Sequence, residues 1–256
     1  MADSTATGNS PTLYSQRVSF NQAEFEIRCE WGLRGLRDLA PISDVVIIID
    51  VLSFSTALDV ATSRGGIIFP YPLIDDSAAA YAASHNAQLA AASRGAGFSL
   101  SPTSLRSMET GCRLVLPSPN GAALSFSADH QNVLAACLRN ATAAAALAAR
   151  SGSTIAVIPA GETWDTGDLR PSLEDLIGAG AVIASLPGKK SPDAQLAAAG
   201  FEYFRKTLPQ TLRHCGSGKE LIKRGFAPDV ELAAEFNVSA NVPCLRDRAF
   251  AGTLAY

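Results

Sequence analysis

The stretch Asp44-Val45-Val46-Ile47-Ile48-Ile49-Asp50-Val51-Leu52-Ser53-Phe54-Ser55-Thr56-Ala57-Leu58 decides the fold. Val45 to Ile49 are five consecutive β-branched residues. Unbroken apolarity, in place of alternation, marks a strand covered on both faces, as in a parallel sheet. Asp50 ends the run, and Ser53, Ser55 and Thr56 form a hydroxyl-rich turn into a helix that starts near Ser55. In open α/β sheets ligands bind beyond the carboxyl ends of strands, where the next helix offers free N–H groups and a positive dipole end to an anion. Asp50 is therefore expected to hold a metal, and the turn after it an anionic group. The plainer alternative is an Asp that only caps the helix or forms the turn.

Outward from this stretch the same plan returns. Upstream, Arg17 to Phe20 is expected as a strand, and Phe25 to Trp31, which alternates apolar with charged residues, as a half-exposed or edge strand. Gly32 to Leu39 reads as a short helix stopped by Pro41. Downstream come a strand Ile67 to Tyr71 and a long Ala-rich helix from about Asp75 to Ser93, with Asp75 and Asp76 as its cap and first-turn acids. Gly95 to Met108, rich in Gly, Ser and Pro, is an irregular loop suited to lie over a site. Arg113 to Leu116, Val133 to Ala136 and Thr154 to Ile158 are strands that each run into a turn, with helices from Ala122 and over Ala141 to Ala149. The last third reads as helices over Asp193 to Thr207, Leu208 to His214 and Gly218 to Arg224. Asp229 to Phe236 and Val242 to Leu245 then close the fold against the early strands. Alternation of this kind implies βα units: a three-layer α/β/α fold on a largely parallel sheet, with mixed strands allowed.

Of 256 residues 47% are hydrophobic and 18% charged, enough apolar matter for a substantial core. Residues 1–12 are small and polar and read as a disordered tail, leaving 13–256 as a single domain or two interlocked halves. A net charge of -3 and a pI near 5.6 give no global attraction to nucleic acid or anionic membrane, so any anion site is local. Cys29, Cys112, Cys137, Cys215 and Cys244 contain no C-x-x-C pair, which argues against a disulfide framework or zinc knuckle and for a reducing cytoplasm. No apolar run is long enough to span a membrane, and no basic patch with interleaved aromatics suggests a nucleic-acid partner. The Ala-rich helices suit close packing and hence a homo-oligomer.

Asp50, Asn120, Asn140 and Glu162 each stand just past a strand end, so they are expected along one rim of the sheet. Ser118 and Gly121 flank Asn120. The helix after Pro171 opens with Glu174 and Asp175 and then presents Gly178-Ala179-Gly180, small residues that let it approach the sheet and aim its acids at the same rim. With Asp50 these acids form a set of hard oxygen ligands suited to Mg²⁺. Competing phosphatase chemistries lack their residues: position 52 is Leu where an aspartyl-nucleophile enzyme needs a second Asp, no cysteine has Arg six residues on, and Arg213-His214 is followed by Cys215, not Gly. Gly216-Ser217-Gly218-Lys219 lacks the earlier Gly and the following Ser or Thr of a P-loop. Taken with the phosphatase activity that the family resemblance of these motifs implies, what survives is metal-assisted in-line attack of water on a phosphate monoester. Asp50 with Glu174 or Asp175 would hold Mg²⁺, and Ser53, Ser55, Thr56, Ser118, Asn120, Gly121 and Asn140 would offer donors to the substrate. Glu162 would act as general base. Arg139, Arg170 or Lys219 would meet a second anionic group of a small phosphorylated substrate. The rival reading is a non-catalytic protein that binds small anions on the same fold.

Asp50-Val51-Leu52 with Ser55-Thr56, Ser118-Pro119-Asn120-Gly121, Arg139-Asn140-Ala141, Ala160-Gly161-Glu162, Glu174-Asp175 with Gly178-Ala179-Gly180, Ser217-Gly218-Lys219-Glu220-Leu221 and Val242-Pro243 recur in one order. This ordered set resembles the 2-phosphosulfolactate phosphatase (ComB) family. The resemblance implies a three-layer α/β/α, Mg²⁺-dependent phosphatase that converts 2-phospho-3-sulfolactate to 3-sulfolactate and phosphate on the route to coenzyme M. It places Asp50, Asn120-Gly121 and Glu174-Asp175 on the family's acidic and Asn-Gly motifs. Two stretches depart from it. Ser53-Phe54 stand where many members have Arg-Ala, and Phe98-Ser99-Leu100-Ser101-Pro102 lacks the Asp and Asn of the family's Phe-Asp-x-Gly-Asn-Ser-Pro segment.

Overall fold

The computed structural model describes residues 21–73 and 75–254. The expected tail at 1–12 and strand at Arg17 to Phe20 lie outside them. In chain order the elements are β1 Ile27–Cys29, α1 Gly32–Leu39, β2 Val45–Ile49, α2 Phe54–Ser63, β3 Ile67–Tyr71, α3 Asp76–Ser84, β4 Gln88–Leu89, β5 Arg113–Pro117, α4 Gly121–Ser127, β6 Val133–Ala136 and α5 Ala141–Ser151. There follow β7 Ile155–Pro159, β8 Glu162–Thr163, β9 Leu169–Arg170, α6 Leu173–Ser185, α7 Pro192–Phe204, α8 Leu208–His214, α9 Gly216–Lys223, α10 Ala227–Ala233, β10 Asn241–Arg246 and β11 Ala249–Leu254. Nine strands form one sheet in the order β1-β7-β2-β6-β10-β11-β3-β5-β4, and β8 and β9 form a separate hairpin.

β2 is covered on both faces, as its sequence requires. Val45, Ile47 and Ile49 pack with α5 and α6, through residues such as Ala144 and Val182. Val46 and Ile48 pack on the other side against Leu36, Leu39 and Leu124 of α1 and α4. α6 comes close because it carries glycines at the contact. A Cβ on Gly178 would stand 2.6 Å from Val51 Cγ2, and one on Gly180 would stand 2.0 Å from the Ala197 carbonyl of α7. The outcome is a mostly parallel, mixed sheet between two helical layers, a three-layer α/β/α fold.

The C-terminal hairpin changes the topology. Val242 to Leu245 does not pack against the early strands from outside. It belongs to β10, which pairs antiparallel with β6 in the middle of the sheet, while β11 pairs antiparallel with β3. The two-residue turn Asp247-Arg248 has both φ angles positive, 48° and 64°. That is the geometry that matches strand twist in a tight hairpin, though its sequence lacks the usual Asn-Gly signal. Three antiparallel pairings, β6/β10, β10/β11 and β11/β3, therefore separate two parallel blocks. The block β3-β5-β4 runs opposite to β1-β7-β2-β6.

One expected helix is shorter than its sequence suggests. The long helix expected from Asp75 to Ser93 ends at Ser84, because the chain turns at Asn86 with φ 48° and then pairs as β4 with β5. Asp75 is its cap, accepting from the Ser77 N–H at 3.0 Å. β1 lies at the sheet's edge, as expected, with Glu24 and Glu26 before it exposed and Ile27 to Cys29 buried. Arg28 is 3% exposed and donates to the carbonyls of Gln22 and Phe25 and to Ser43 Oγ. Between β7 and α6 the chain forms the β8–β9 hairpin, in which Glu162 stands opposite Arg170.

Candidate active site

Asp50 follows β2 directly and is 5% exposed. Its Oδ1 accepts from the Phe54 N–H at 3.1 Å and its Oδ2 from the Gly121 N–H at 2.9 Å. The carboxylate thus sits between the first residues of α2 and α4. The free donors of the turn, expected to hold a substrate anion, are taken by Asp50 itself: the Ser55 N–H also binds its carbonyl, at 2.8 Å. Gly121 has to be glycine here, since a Cβ would lie 2.6 Å from Asp50 Oδ2. Ser55 Oγ accepts from the Asp50 N–H, and Thr56 Oγ1 donates to the Val51 carbonyl. Both hydroxyls shape the turn.

The approach of Asn120-Gly121 to Asp50 is not the shared rim of a parallel sheet, since β5 runs against β2. Adjacent strands rotate by roughly 20–25°. Five steps of the sheet order lie between β2 and β5. Twist of that kind takes the second block out of line with the first, and the Gly121 N–H at 2.9 Å from Asp50 Oδ2 brings the end of β5 to that of β2.

Four carboxylates gather at this junction. Asp175, 3% exposed, accepts from the Val51 N–H at 2.8 Å and from the Gly161 N–H at 2.9 Å, tying α6 to the ends of β2 and β7. Burial, with the charges of Asp50 and Glu174, holds its carboxyl well above the usual carboxylate range. Asp50 is pushed up to about 6, first by burial and more weakly by Glu174, against the pull of its two backbone N–H partners. Glu162 accepts from Asn120 Nδ2 at 2.8 Å and is pushed up to about 7 by burial and by the charge of Asp50. Glu174 is 2% exposed and faces the Cys215 thiol, which burial and the Glu174 charge push up to about 12. The thiol donates to the Leu212 carbonyl at 3.1 Å, so Glu174 is the least satisfied acid of the four.

That donor set suits a hard divalent cation. Among the described residues no three His, Cys, Asp or Glu side chains form a ready metal cage. Mg²⁺ does not ask for one, because it binds through one or two carboxylates and keeps waters or substrate oxygens in its other positions. Asp50 and Glu174 are the pair that fits. Asp50 and Asp175 each have both oxygens engaged by backbone N–H groups, and of the two only Asp50 also borders an open cavity.

Beside Asp50 opens a cavity of about 250 Å³ lined by Ser53, Arg94, Ser118, Asn120 and Glu162, among others. The other expected site residues lie outside it. Asn140 is fully buried, accepting from the Cys137 N–H and donating to the Asn241 carbonyl. Arg139 pairs with Asp59 at 2.8 Å and with Glu235. Lys219 is exposed. Arg170 is nearer: it donates to Ser217 Oγ at 3.2 Å, lies over the Trp164 ring and fastens the β8–β9 hairpin to α9. Arg94 and Asp229 are absent from the sequence-based candidates. Arg94 falls between the expected Ala-rich helix and the expected loop, and Asp229 in a segment that reads as packing, so neither carries a motif.

A three-layer α/β/α sheet protein with buried carboxylates around a small polar cavity defines the class. Residues 35–248 match the family described as 2-phosphosulpholactate phosphatase. The chain belongs to that family, and so to the phosphoric monoester hydrolases. It is 30% identical over 207 residues to a protein of Carboxydothermus hydrogenoformans named "Probable 2-phosphosulfolactate phosphatase", covering 77% of this chain and 84% of the relative. Proteins of the same name from Thermotoga petrophila and Thermotoga maritima are 29% and 28% identical over 227 residues, 83% of this chain and 95% of each relative. No helix among the described residues is long and apolar enough to cross a membrane.

Proposed function

We propose that this chain is a Mg²⁺-dependent phosphatase acting on a small phosphorylated organic acid, with 2-phospho-3-sulfolactate, split to 3-sulfolactate and phosphate, as its substrate. The observation that carries the reading is the meeting of Asp50 and Glu162 at one cavity, with the buried Glu174 close enough for its charge to act on both, in a chain of this family. Asp50 and Glu174 would hold the ion, which supplies charge compensation at the phosphoryl oxygens. Ser53, Ser118 and Asn120 would position the substrate. Glu162, aimed by Asn120, would accept a proton from the attacking water as the new P–O bond forms. The ester P–O bond breaks opposite, and the leaving alkoxide takes up a proton, so the reaction is proton-neutral.

Two measurements test this. Phosphate release from 2-phospho-3-sulfolactate is expected with Mg²⁺ and is expected to stop with EDTA; no release from it or from a panel of phosphorylated acids would refute the reading. A general base works only when deprotonated, and Glu162 sits at about 7. So kcat/KM is expected to rise with pH through that value and to level above it. Glu162→Gln is expected to lower it by about 10²–10⁴-fold and to remove that limb. An unchanged pH limb in the variant would take the base role from Glu162.

A further inference from the structure

Position 53 carries no cation, yet a guanidinium stands beside it. Arg94 donates from Nη2 to Ser53 Oγ at 2.8 Å and from Nη1 to Asp229 Oδ2 at 2.6 Å. Its side chain is 8% exposed, that of Asp229 1%, and the guanidinium lies 5.6 Å from the centre of the Phe226 ring. Asp229 is itself held. Its Oδ1 accepts from Ser101 Oγ at 2.7 Å, from the Thr103 N–H at 3.2 Å and from Thr103 Oγ1 at 2.6 Å. The Gly95 to Met108 segment is thereby pinned to α10, and Arg94 is fixed from behind in one orientation.

The guanidinium is not used up by these bonds. Of its five N–H donors, two are engaged by Asp229 and Ser53. It lines the same cavity as Asp50 and Glu162. The other cation on that wall, Arg224, is 55% exposed and paired with Glu220 at 3.1 Å, where water screens it. Arg94 is therefore the buried positive group of a cavity that also holds the buried acid Asp50 and the part-buried Glu162. A fixed, planar, partly free fork in a desolvated wall is what recognises a carboxylate or sulfonate with both orientation and strength.

We propose that Arg94 is a specificity-determining residue that binds an acidic group of the substrate other than the phosphoryl, and so selects phosphorylated acids with a second anion over simple phosphomonoesters. The inference rests on the phosphatase reading. Arg94 is anchored to Ser53, beyond Asp50 in the chain, and to α10, so it meets the part of the substrate that does not react. It also answers the Ser53-Phe54 departure, because the small Ser53 side chain leaves room for Arg94 and serves as its anchor.

The test compares kcat/KM for 2-phospho-3-sulfolactate with that for isopropyl phosphate, which has no second anion, in the wild type, Arg94→Gln and Arg94→Lys, each first checked for folding by thermal melt. In Arg94→Gln the ratio of the two is expected to fall by about ten- to a hundredfold, mainly through KM for the sulfonated acid. Arg94→Lys keeps a charge opposite Asp229 and loses the fork, so it is expected to recover only part of the ratio, and it decides the matter if the Gln variant does not fold. Inhibition by 3-sulfolactate is expected to weaken in parallel. Equal losses on both substrates would overturn the proposal and assign Arg94 to the phosphoryl group or to the fold. An unchanged ratio would overturn it too. A wild type that releases phosphate from neither substrate would instead overturn the phosphatase reading, and this inference with it.

Discussion

Replacing Asp50 with asparagine is expected to abolish phosphate release, by at least about a thousand-fold, in a protein that still folds. The activity loss follows from the carboxylate's proposed task. An amide is neutral and offers one weak oxygen ligand, so the ion that offsets charge at the phosphoryl oxygens would no longer be held, a loss of several kcal/mol in the barrier. The fold is expected to survive because two effects of the substitution oppose each other. An asparagine cannot accept from both the Phe54 and Gly121 N–H groups, and one buried donor left bare costs about 1–3 kcal/mol. Against that, burial already holds Asp50 at about 6, so removing its charge relieves a desolvation penalty. A thermal melt and a phosphate assay on the same sample check both halves. Turnover near wild type in Asp50→Asn would remove Asp50 from the chemistry altogether.

Much of this site was legible in the letters because it is built from local rules. The run Val45 to Ile49 could only be a doubly covered strand, and an acid at its end is placed by chain continuity alone. Gly178 and Gly180 announced a helix that approaches closely, and both make the contacts their missing Cβ permits. Where the reading failed, the cause was an interaction between distant segments. β11 follows an atypical turn, and it is specified by its slot between β10 and β3. The opposed direction of the second block follows from that hairpin, and no periodicity in Ile67 to Tyr71 or Arg113 to Pro117 records it. Arg94 is the clearest case: its partners Ser53 and Asp229 are 41 and 135 residues away in the chain. Conversely Arg139 and Asn140 stand at a strand end as expected, but the fold spends them on Asp59 and Asn241.

The neighbours Glu174 and Asp175 separate function from framework. Successive residues on a helix point about 100° apart, so one can face the cavity acids while the other faces the strand ends. Asp175 accepts from Val51 and Gly161, the residues that leave β2 and β7. Asp175→Ala strips both buried N–H groups of their partner, at about 1–3 kcal/mol each. It also removes a buried charge whose pKa is driven upward by burial, which returns part of that cost. The net loss is expected to be about 2–5 kcal/mol, a fall in Tm of roughly 5–20 °C for a chain of this size. Glu174→Ala, by contrast, deletes an acid with no backbone N–H to satisfy, so its melt is expected to stay within about 1 kcal/mol of wild type while Mg²⁺ no longer raises it. Melts of the two variants with and without Mg²⁺ check the division. A stable Asp175→Ala would mean that the ends of β2 and β7 are held by something other than this carboxylate. Undiminished stabilisation of Glu174→Ala by Mg²⁺ would move the metal away from α6.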